Sequence, residues 1–356
     1  MDNYRIDSHK LMFHPRRVAE WYEGKLSYPI NAEIGLAGAC NHRCIFCSMD
    51  YMGYNPHVLT KEILHDRLSE MQEKGLKSVL YAGTGEPLLN KNAAHIMNDT
   101  KSMGVDVALS TNGVLFTEDV AKECMNSISW IRFSVSAGTE ETYKRIHRGQ
   151  DGDLERVFQN IYHAAQLKRQ HDWKTVLGVQ IVMIPDNENE ILILAKKAKE
   201  LGADLFSVKS FGAQLLSDNE LKKLDRVSYY GHCEELERQL NELNDENFSA
   251  VFRSNRASKP KIGRCYAECY AMPFHLNIDA SGDVWPCCSL IGMDGMCFGN
   301  INENTFEEIW LGEKRKQAIQ KINGAELSMC IPDCKLDDMN RYLHELRYPN
   351  AHINFI

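Results

Sequence analysis

An α/β fold built on a parallel sheet, with a smaller cysteine-dense domain after it, is predicted by three features of this 356-residue chain. Short apolar runs alternate with amphipathic helical stretches from about residue 29 to residue 212. Glycines such as Gly75, Gly104 and Gly202 fall where those helical stretches should stop. Seven of the 12 cysteines lie beyond residue 262, after a change to charged sequence. Alternation of this kind gives parallel strands with helices packed outside them. It also places chemistry in the loops after the C-terminal ends of the strands.

Residues 30–36 read as the first strand, leading into a loop with three cysteines. A helix over 61–74 carries apolar Ile63, Leu64, Leu68 and Met71, and Ser78 to Ala82 is a buried strand. A helix over 91–103 and a strand over 105–110 follow, then a helix near 117–126 and a strand over 130–136. Helix 154–170, strand 176–184, helix 188–201 and strand 205–210 complete about six βα units. Residues 1–28 form an N-terminal extension, and its Phe13 to Trp21 stretch is expected to cover the strand C-termini. Residues 213–262 read as a helical and basic connector, irregular from 250 on, with Arg253, Arg256, Lys259, Lys261 and Arg264. Residues 263–356 form the second domain.

Bulk properties exclude several classes. Hydrophobic residues make up 44% and charged residues 25%, the balance of a soluble globular protein. A formal charge of −8 supplies no positive field for nucleic acid. No apolar run approaches the roughly 20 residues that span a bilayer. The N-terminus has scattered charges and no apolar core, so a cytoplasmic location is expected. Twelve cysteines in a reducing compartment then read as metal ligands, buried thiols or reactive thiols rather than disulfides.

Cys40, Cys44 and Cys47 stand in the spacing Cys-x3-Cys-x2-Cys. Three thiolates on one loop can hold three irons of a [4Fe–4S] cluster and leave the fourth open. A zinc site is the alternative, although zinc takes four ligands and usually paired Cys-x2-Cys knuckles.

This loop, with Phe46 before its third cysteine, resembles that of the radical S-adenosylmethionine (radical SAM) superfamily. The resemblance extends over about residues 29–212 and implies a partial (β/α)6, TIM-like barrel. It implies a [4Fe–4S] cluster whose open iron chelates SAM, and reductive cleavage of SAM to a 5'-deoxyadenosyl radical. Gly83-Thr84-Gly85-Glu86-Pro87 resembles the family's GGEP motif, with Thr84 as a replacement, and implies contact with the SAM amino group. Thr111-Asn112-Gly113 resembles the TNG motif. The resemblance offers Ser136 for the SAM ribose and Arg148 for its carboxylate. Ala137 stands where many relatives carry an acid, which leaves an acid-dependent step there without its residue.

Cys269 and Cys287 flank a stretch that reads as a hairpin, and Cys330 and Cys334 follow a helix near 305–321. Four such thiolates suit a second, fully ligated [4Fe–4S] cluster, with a structural zinc knuckle as the alternative. The run Ile278 to Cys288, with Phe298-Gly299-Asn300-Ile301 and Glu308-Ile309-Trp310, resembles the SPASM/Twitch extension of the same superfamily. Only the pair Cys330 and Cys334 follows the helix, so the one-cluster Twitch form fits better. Cys265 is a possible substitute for Cys269. Cys124 and Cys233 read as packing residues, while Cys288 and Cys297 beside the hairpin are packing residues or hydrogen-atom donors.

The implied activity is hydrogen abstraction from a small polar substrate: a sugar, an aminocyclitol or a nucleotide-linked sugar. Dehydrogenation or epimerisation follows, with the auxiliary cluster involved and a flavodoxin or ferredoxin as electron donor. The alternatives are a peptide-modifying radical SAM maturase and a non-enzymatic iron–sulfur electron carrier.

Overall fold

The computed structural model of the chain describes residues 8–212, 214–254, 263–325 and 327–355. Strands β1 (Asn31–Ile34), β2 (Ser78–Tyr81), β3 (Asp106–Thr111), β4 (Ile128–Ser134), β5 (Val176–Met183), β6 (Leu205–Ser210) and β7 (Ser249–Phe252) pair in parallel, in chain order. The β1 edge continues into β8 (His275–Ile278), which is parallel to β1. From there β9 (Asp283–Trp285) and β10 (Gly299–Asn300) extend the sheet in antiparallel pairs. The result is a partial α/β barrel whose ten-stranded sheet runs unbroken into the cysteine-dense domain.

Helices α1 (Pro15–Tyr22), α2 (Lys61–Glu73), α3 (Ala93–Ser102), α4 (Glu118–Cys124), α5 (Glu140–His147), α6 (Asp153–His171) and α7 (Ile191–Leu201) pack outside the sheet; all but α1 and α5 come from the expected stretches. Their starts are set by local chemistry. Thr60, Thr117 and Thr139 each accept an amide of the first turn, which supplies an otherwise orphaned donor with a partner. After β6 come α8 (Arg226–Tyr229) and α9 (Glu234–Asn241), then α10 (Phe306–Leu311), α11 (Glu313–Gly324) and α12 (Asp337–Arg347). Thr305 and Glu308 close α10 with a reciprocal capping box.

The two faces of the sheet differ. Ala32, Ile34, Val79, Tyr81, Leu109, Ile131, Phe133, Val179, Ile181, Phe206 and Val208 are buried in the apolar core under the helices. The alternate positions, on the opposite face, include Asn31, Glu33, Ser110, Arg132, Ser134, Gln180, Ser207 and Lys209. Parallel sheets are normally apolar on both faces, so this polar inner face needs a functional reason.

Two expectations are corrected here. The stretch expected to be irregular begins with β7, which pairs with β6 from Leu205↔Ser249 to Val208↔Phe252. Four alternating residues beside charged sequence gave too short a signal. Of the basic residues named there, Arg256, Lys259 and Lys261 lie outside the described residues, while Arg264 Nη2 donates to the Ile331 carbonyl at 2.6 Å. The second correction concerns α1. Arg17 donates to the carbonyls of Lys74 and Tyr28, and Trp21 packs edge-on against Tyr270 at 5.8 Å. These partners precede β2, β1 and β8, so α1 closes the N-terminal ends of the strands, opposite the mouth.

The C-terminal domain is anchored to the chain start by Trp310, which is fully buried. Its indole N–H donates to Ser27 O at 2.9 Å, Tyr28 stacks on it at 6.3 Å, and the Arg315 guanidinium lies 3.8 Å over its ring. Trp310→Ala is expected to cost about 3–5 kcal/mol, read as a lower urea midpoint by circular dichroism under anaerobic conditions.

Candidate active site

The cysteine loop leaves β1 and is held by three neighbouring strand-end segments. The Arg43 and Ile45 amides donate to the carbonyls of His147 and Ile146 at 3.0 and 2.9 Å. Glu86 N–H donates to Ala39 O at 2.9 Å, and Asn112 Nδ2 donates to Asn41 Oδ1 at 2.6 Å. Each sulfur has a protein donor: the His42 amide at Cys40 (3.4 Å), His147 Nδ1 at Cys44 (3.2 Å) and the Tyr54 hydroxyl at Cys47. Burial pushes the Cys40 thiol up to about 11 and raises those of Cys44 and Cys47, so metal must displace the protons.

The spacing of the sulfurs tests what this loop can hold. Tetrahedral zinc at about 2.3 Å from sulfur brings its thiolates to about 3.8 Å from one another. Among the described residues, only His42, Cys44 and His147 place three donor atoms within 4.8 Å of each other. The triplet's three sulfurs are thus not all within 4.8 Å of one another, wider than one zinc ion would gather them.

Gly83 and Gly85 bring the GTGEP backbone against the loop. Gly83 has φ +120°, and a Cβ on Gly85 would stand 2.2 Å from Ala39 O. Thr84 is buried beside them, its hydroxyl without a protein partner, a polar atom suited to a ligand in this turn. Glu86 is turned inward. It accepts from Thr111 Oγ1 (2.6 Å), the Asn112 amide (2.8 Å) and the Leu88 amide (3.2 Å), so it joins the GTGEP and TNG segments. Ser136 is buried: its hydroxyl accepts from Val182 N–H at 3.2 Å and its amide donates to His147 Nε2 at 2.9 Å. Arg148 follows α5 in the left-handed region (φ 52°). With Arg43, Cys44, Tyr54 and Asn219 it lines a cavity of about 490 Å³. Phe46 packs edge-on to His147 at 5.4 Å. Of the residues expected to contact SAM, Arg148 lines this cavity, while Thr84, Glu86, Asn112 and Ser136 are buried.

In the second domain Cys269, Cys287, Cys330 and Cys334 converge. Burial raises all four thiols; Cys288, Cys334 and Cys269 add to the rise at Cys287, and Cys269 to that at Cys330. Cys265 is exposed, with Arg341 Nη1 3.8 Å from its sulfur, so the geometry favours Cys269 as the fourth member. Cys288 lies beside Cys287 and Lys335, and Cys297 donates to Gly299 O at 3.5 Å.

Lys335 and Glu33 escaped the sequence reading. Directly after Cys334, Lys335 reaches β1 and donates to Glu33 Oε2 at 2.6 Å. Burial works to raise the Glu33 pKa, but the Lys335 charge outweighs it and holds it at about 2 against its ordinary 4.5. The pair's contribution is present above pH 4.5 and is lost as pH falls toward 2. A charged residue inside a strand was the available signal. Arg132, which donates to Ser110 Oγ at 2.9 Å, adds a second charge to this face.

Glu33→Gln is expected to cost about 3 kcal/mol at neutral pH, because Lys335 stays charged in a partly buried site; chemical denaturation measures it. Anaerobically reconstituted chain should carry about eight irons, and joint replacement of Cys269, Cys287, Cys330 and Cys334 by alanine about four. Iron analysis checks both.

Among the described residues no helix is long and apolar enough to cross a membrane. A radical SAM superfamily model matches residues 34–198, and a SPASM iron–sulfur cluster-binding domain model matches residues 265–335. A S-adenosylmethionine-dependent nucleotide dehydratase of Thermoplasmatales archaeon is 30% identical over 157 residues, 43% of this chain and 52% of that protein. A probable GTP 3',8-cyclase of Methanocaldococcus jannaschii is 25% identical over 226 residues, 63% of this chain and 70% of that protein. The chain thus spans about half the length of the first relative and about two thirds of the second. The fold is shared with Streptococcus suis SuiB bound to S-adenosylmethionine (TM-score 0.67, 15% identity, 95% of this chain and 79% of that one). It is also shared with anSMEcpe with bound AdoMet (TM-score 0.60, 17% identity, 88% and 89%). With both models matched in order on one continuous sheet, the chain is a radical SAM superfamily enzyme that uses SAM, a SAM-binding [4Fe–4S] cluster and an auxiliary iron–sulfur cluster in a C-terminal SPASM/Twitch-type domain.

Proposed function

We propose that the enzyme abstracts hydrogen from a small polar substrate held on the polar inner face of the barrel, and dehydrogenates or epimerises it. The substrate class is a sugar, an aminocyclitol or a nucleotide-linked sugar. The observation that carries this reading is the inner face itself. Gln180 and Ser207 are buried there, Arg132 and the Glu33–Lys335 pair lie on it, and Cys288 stands next to Lys335. Such a wall orients hydroxyl and anionic groups and would reject an apolar ligand. Both curated relatives are named for nucleotide chemistry, which supports the nucleotide-linked member of the class.

Cys40, Cys44 and Cys47 would hold the SAM-binding cluster, and Cys269, Cys287, Cys330 and Cys334 the auxiliary one. When bound, these groups supply a 5'-deoxyadenosyl radical and an electron acceptor. The chain's own part is to bind, orient and exclude water. Gly83 and Gly85 let the backbone approach SAM, Arg148 offers a guanidinium for its carboxylate, and Glu33 and Arg132 face the substrate. A thiol on Cys288 or Cys297 would return hydrogen to the opposite face in an epimerisation. A flavodoxin or ferredoxin would serve as reductant.

The test uses candidate sugars, aminocyclitols and nucleotide sugars deuterated at each carbon in turn, with SAM and dithionite under anaerobic conditions. Deuterium is expected in 5'-deoxyadenosine from one position of one substrate. An oxidised product free of solvent deuterium marks dehydrogenation; an inverted centre labelled from D2O marks epimerisation. Transfer from a peptide instead of from these compounds would overturn the substrate class.

A further inference from the structure

His147 lies at the end of α5, fully enclosed, and no step so far has used it. Tyr143 stacks on its ring at 4.2 Å, His42 lies at 5.3 Å and Phe46 meets it edge-on at 5.4 Å. Its two nitrogens have different partners. The Ser136 amide donates to Nε2 at 2.9 Å. Nε2 must therefore offer its lone pair, and the ring proton belongs to Nδ1. Nδ1 stands 3.2 Å from Cys44 Sγ, so it is the donor in an N–H···S hydrogen bond. Backbone ties at Arg43 and Ile45 fix the loop against residues 146 and 147, so donor and sulfur are held on one small ladder.

An N–H dipole aimed at a ligating sulfur stabilises a cluster more after it has gained an electron than before. Hydrogen bonds to the sulfurs are among the determinants of cluster potential. Among the donors to the other two sulfurs are the His42 backbone amide at Cys40, and the Met49 backbone amide and Tyr54 hydroxyl at Cys47. The imidazole at Cys44 alone has its proton position dictated by a second hydrogen bond.

We propose that His147 is a positioning residue that raises the reduction potential of the SAM-binding cluster, by donating its Nδ1 proton to Cys44 Sγ with the Ser136 amide fixing the tautomer. The proposal rests on the assignment of that cluster to Cys40, Cys44 and Cys47. The competing occupant is a single metal ion on His42, Cys44 and His147, whose donor atoms lie within 4.8 Å of one another.

The test compares full-length, anaerobically reconstituted wild type, His147→Phe and His147→Gln by EPR-monitored redox titration. The signal followed is the one that changes when SAM is added. His147→Phe keeps the ring volume and loses the donor. With iron content unchanged, it is expected to lower the one-electron reduction equilibrium at least tenfold, about 59 mV. His147→Gln, whose amide can donate, is expected to restore at least half of the shift. An unchanged potential in a fully loaded His147→Phe enzyme would overturn the proposal. Pulsed EPR of reduced wild type labelled with [15N]histidine needs no variant. A coupling to one ring nitrogen and to a proton that exchanges in D2O supports the hydrogen bond, and absence of both overturns it. A chain lacking Cys40 and Cys47 that retained one stoichiometric zinc would assign the trio to that ion and overturn it too. Failure of the underlying cluster assignment looks different: the joint Cys40, Cys44 and Cys47 alanine variant would then keep all its iron.

Discussion

The cysteine loop has almost no regular structure of its own, so its shape depends on which neighbours take its backbone amides. The tail of α5 takes the most consequential ones, through the carbonyls of Ile146 and His147. The TNG asparagine and the GTGEP backbone hold the other side. Three separate βα units thus converge on one loop, and each tie joins polar groups that would be costly to leave unpaired inside the protein. Glu86 is the inner knot. Its carboxylate takes three donors from two strand ends, which is how a charged side chain persists although burial raises its pKa.

The same economy governs the inner face of the sheet. Glu33 and Lys335 come from residues far apart in the chain, and each charge is stabilised there by the other. His275 bridges Asn31 and Asn277 at 2.9 Å on each side, extending the polar network along β1 and β8. Burial pushes the His275 pKa down to about 3, so that network is neutral while the ion pair beside it is charged.

Most of the barrel was legible in the sequence, because α2, α3 and α7 stop at or near a glycine and each central strand is an apolar run long enough to notice. Gly202 ends α7 with φ +87°, where a left-handed residue is required. The cysteine sets and the GTGEP and TNG turns were legible for a different reason: their residue types are rare enough to stand out. What stayed hidden depends on partners distant in the chain. Four residues of β7 become a strand only beside β6. The position of α1 follows from Arg17 finding carbonyls before β1 and β2. Nothing local marks Lys335 until Glu33 is placed opposite it, or His147 until Cys44 and Ser136 approach its two nitrogens.

The pairing of β8 with β1 has a mechanical consequence. The first cysteine set hangs from the end of β1, and the hairpin bearing Cys287 begins one strand away on β8. Neighbouring strands are locked at about 4.8 Å by their peptide hydrogen bonds. The two cysteine sets are therefore fittings on a single rigid frame, not on two bodies joined by a hinge.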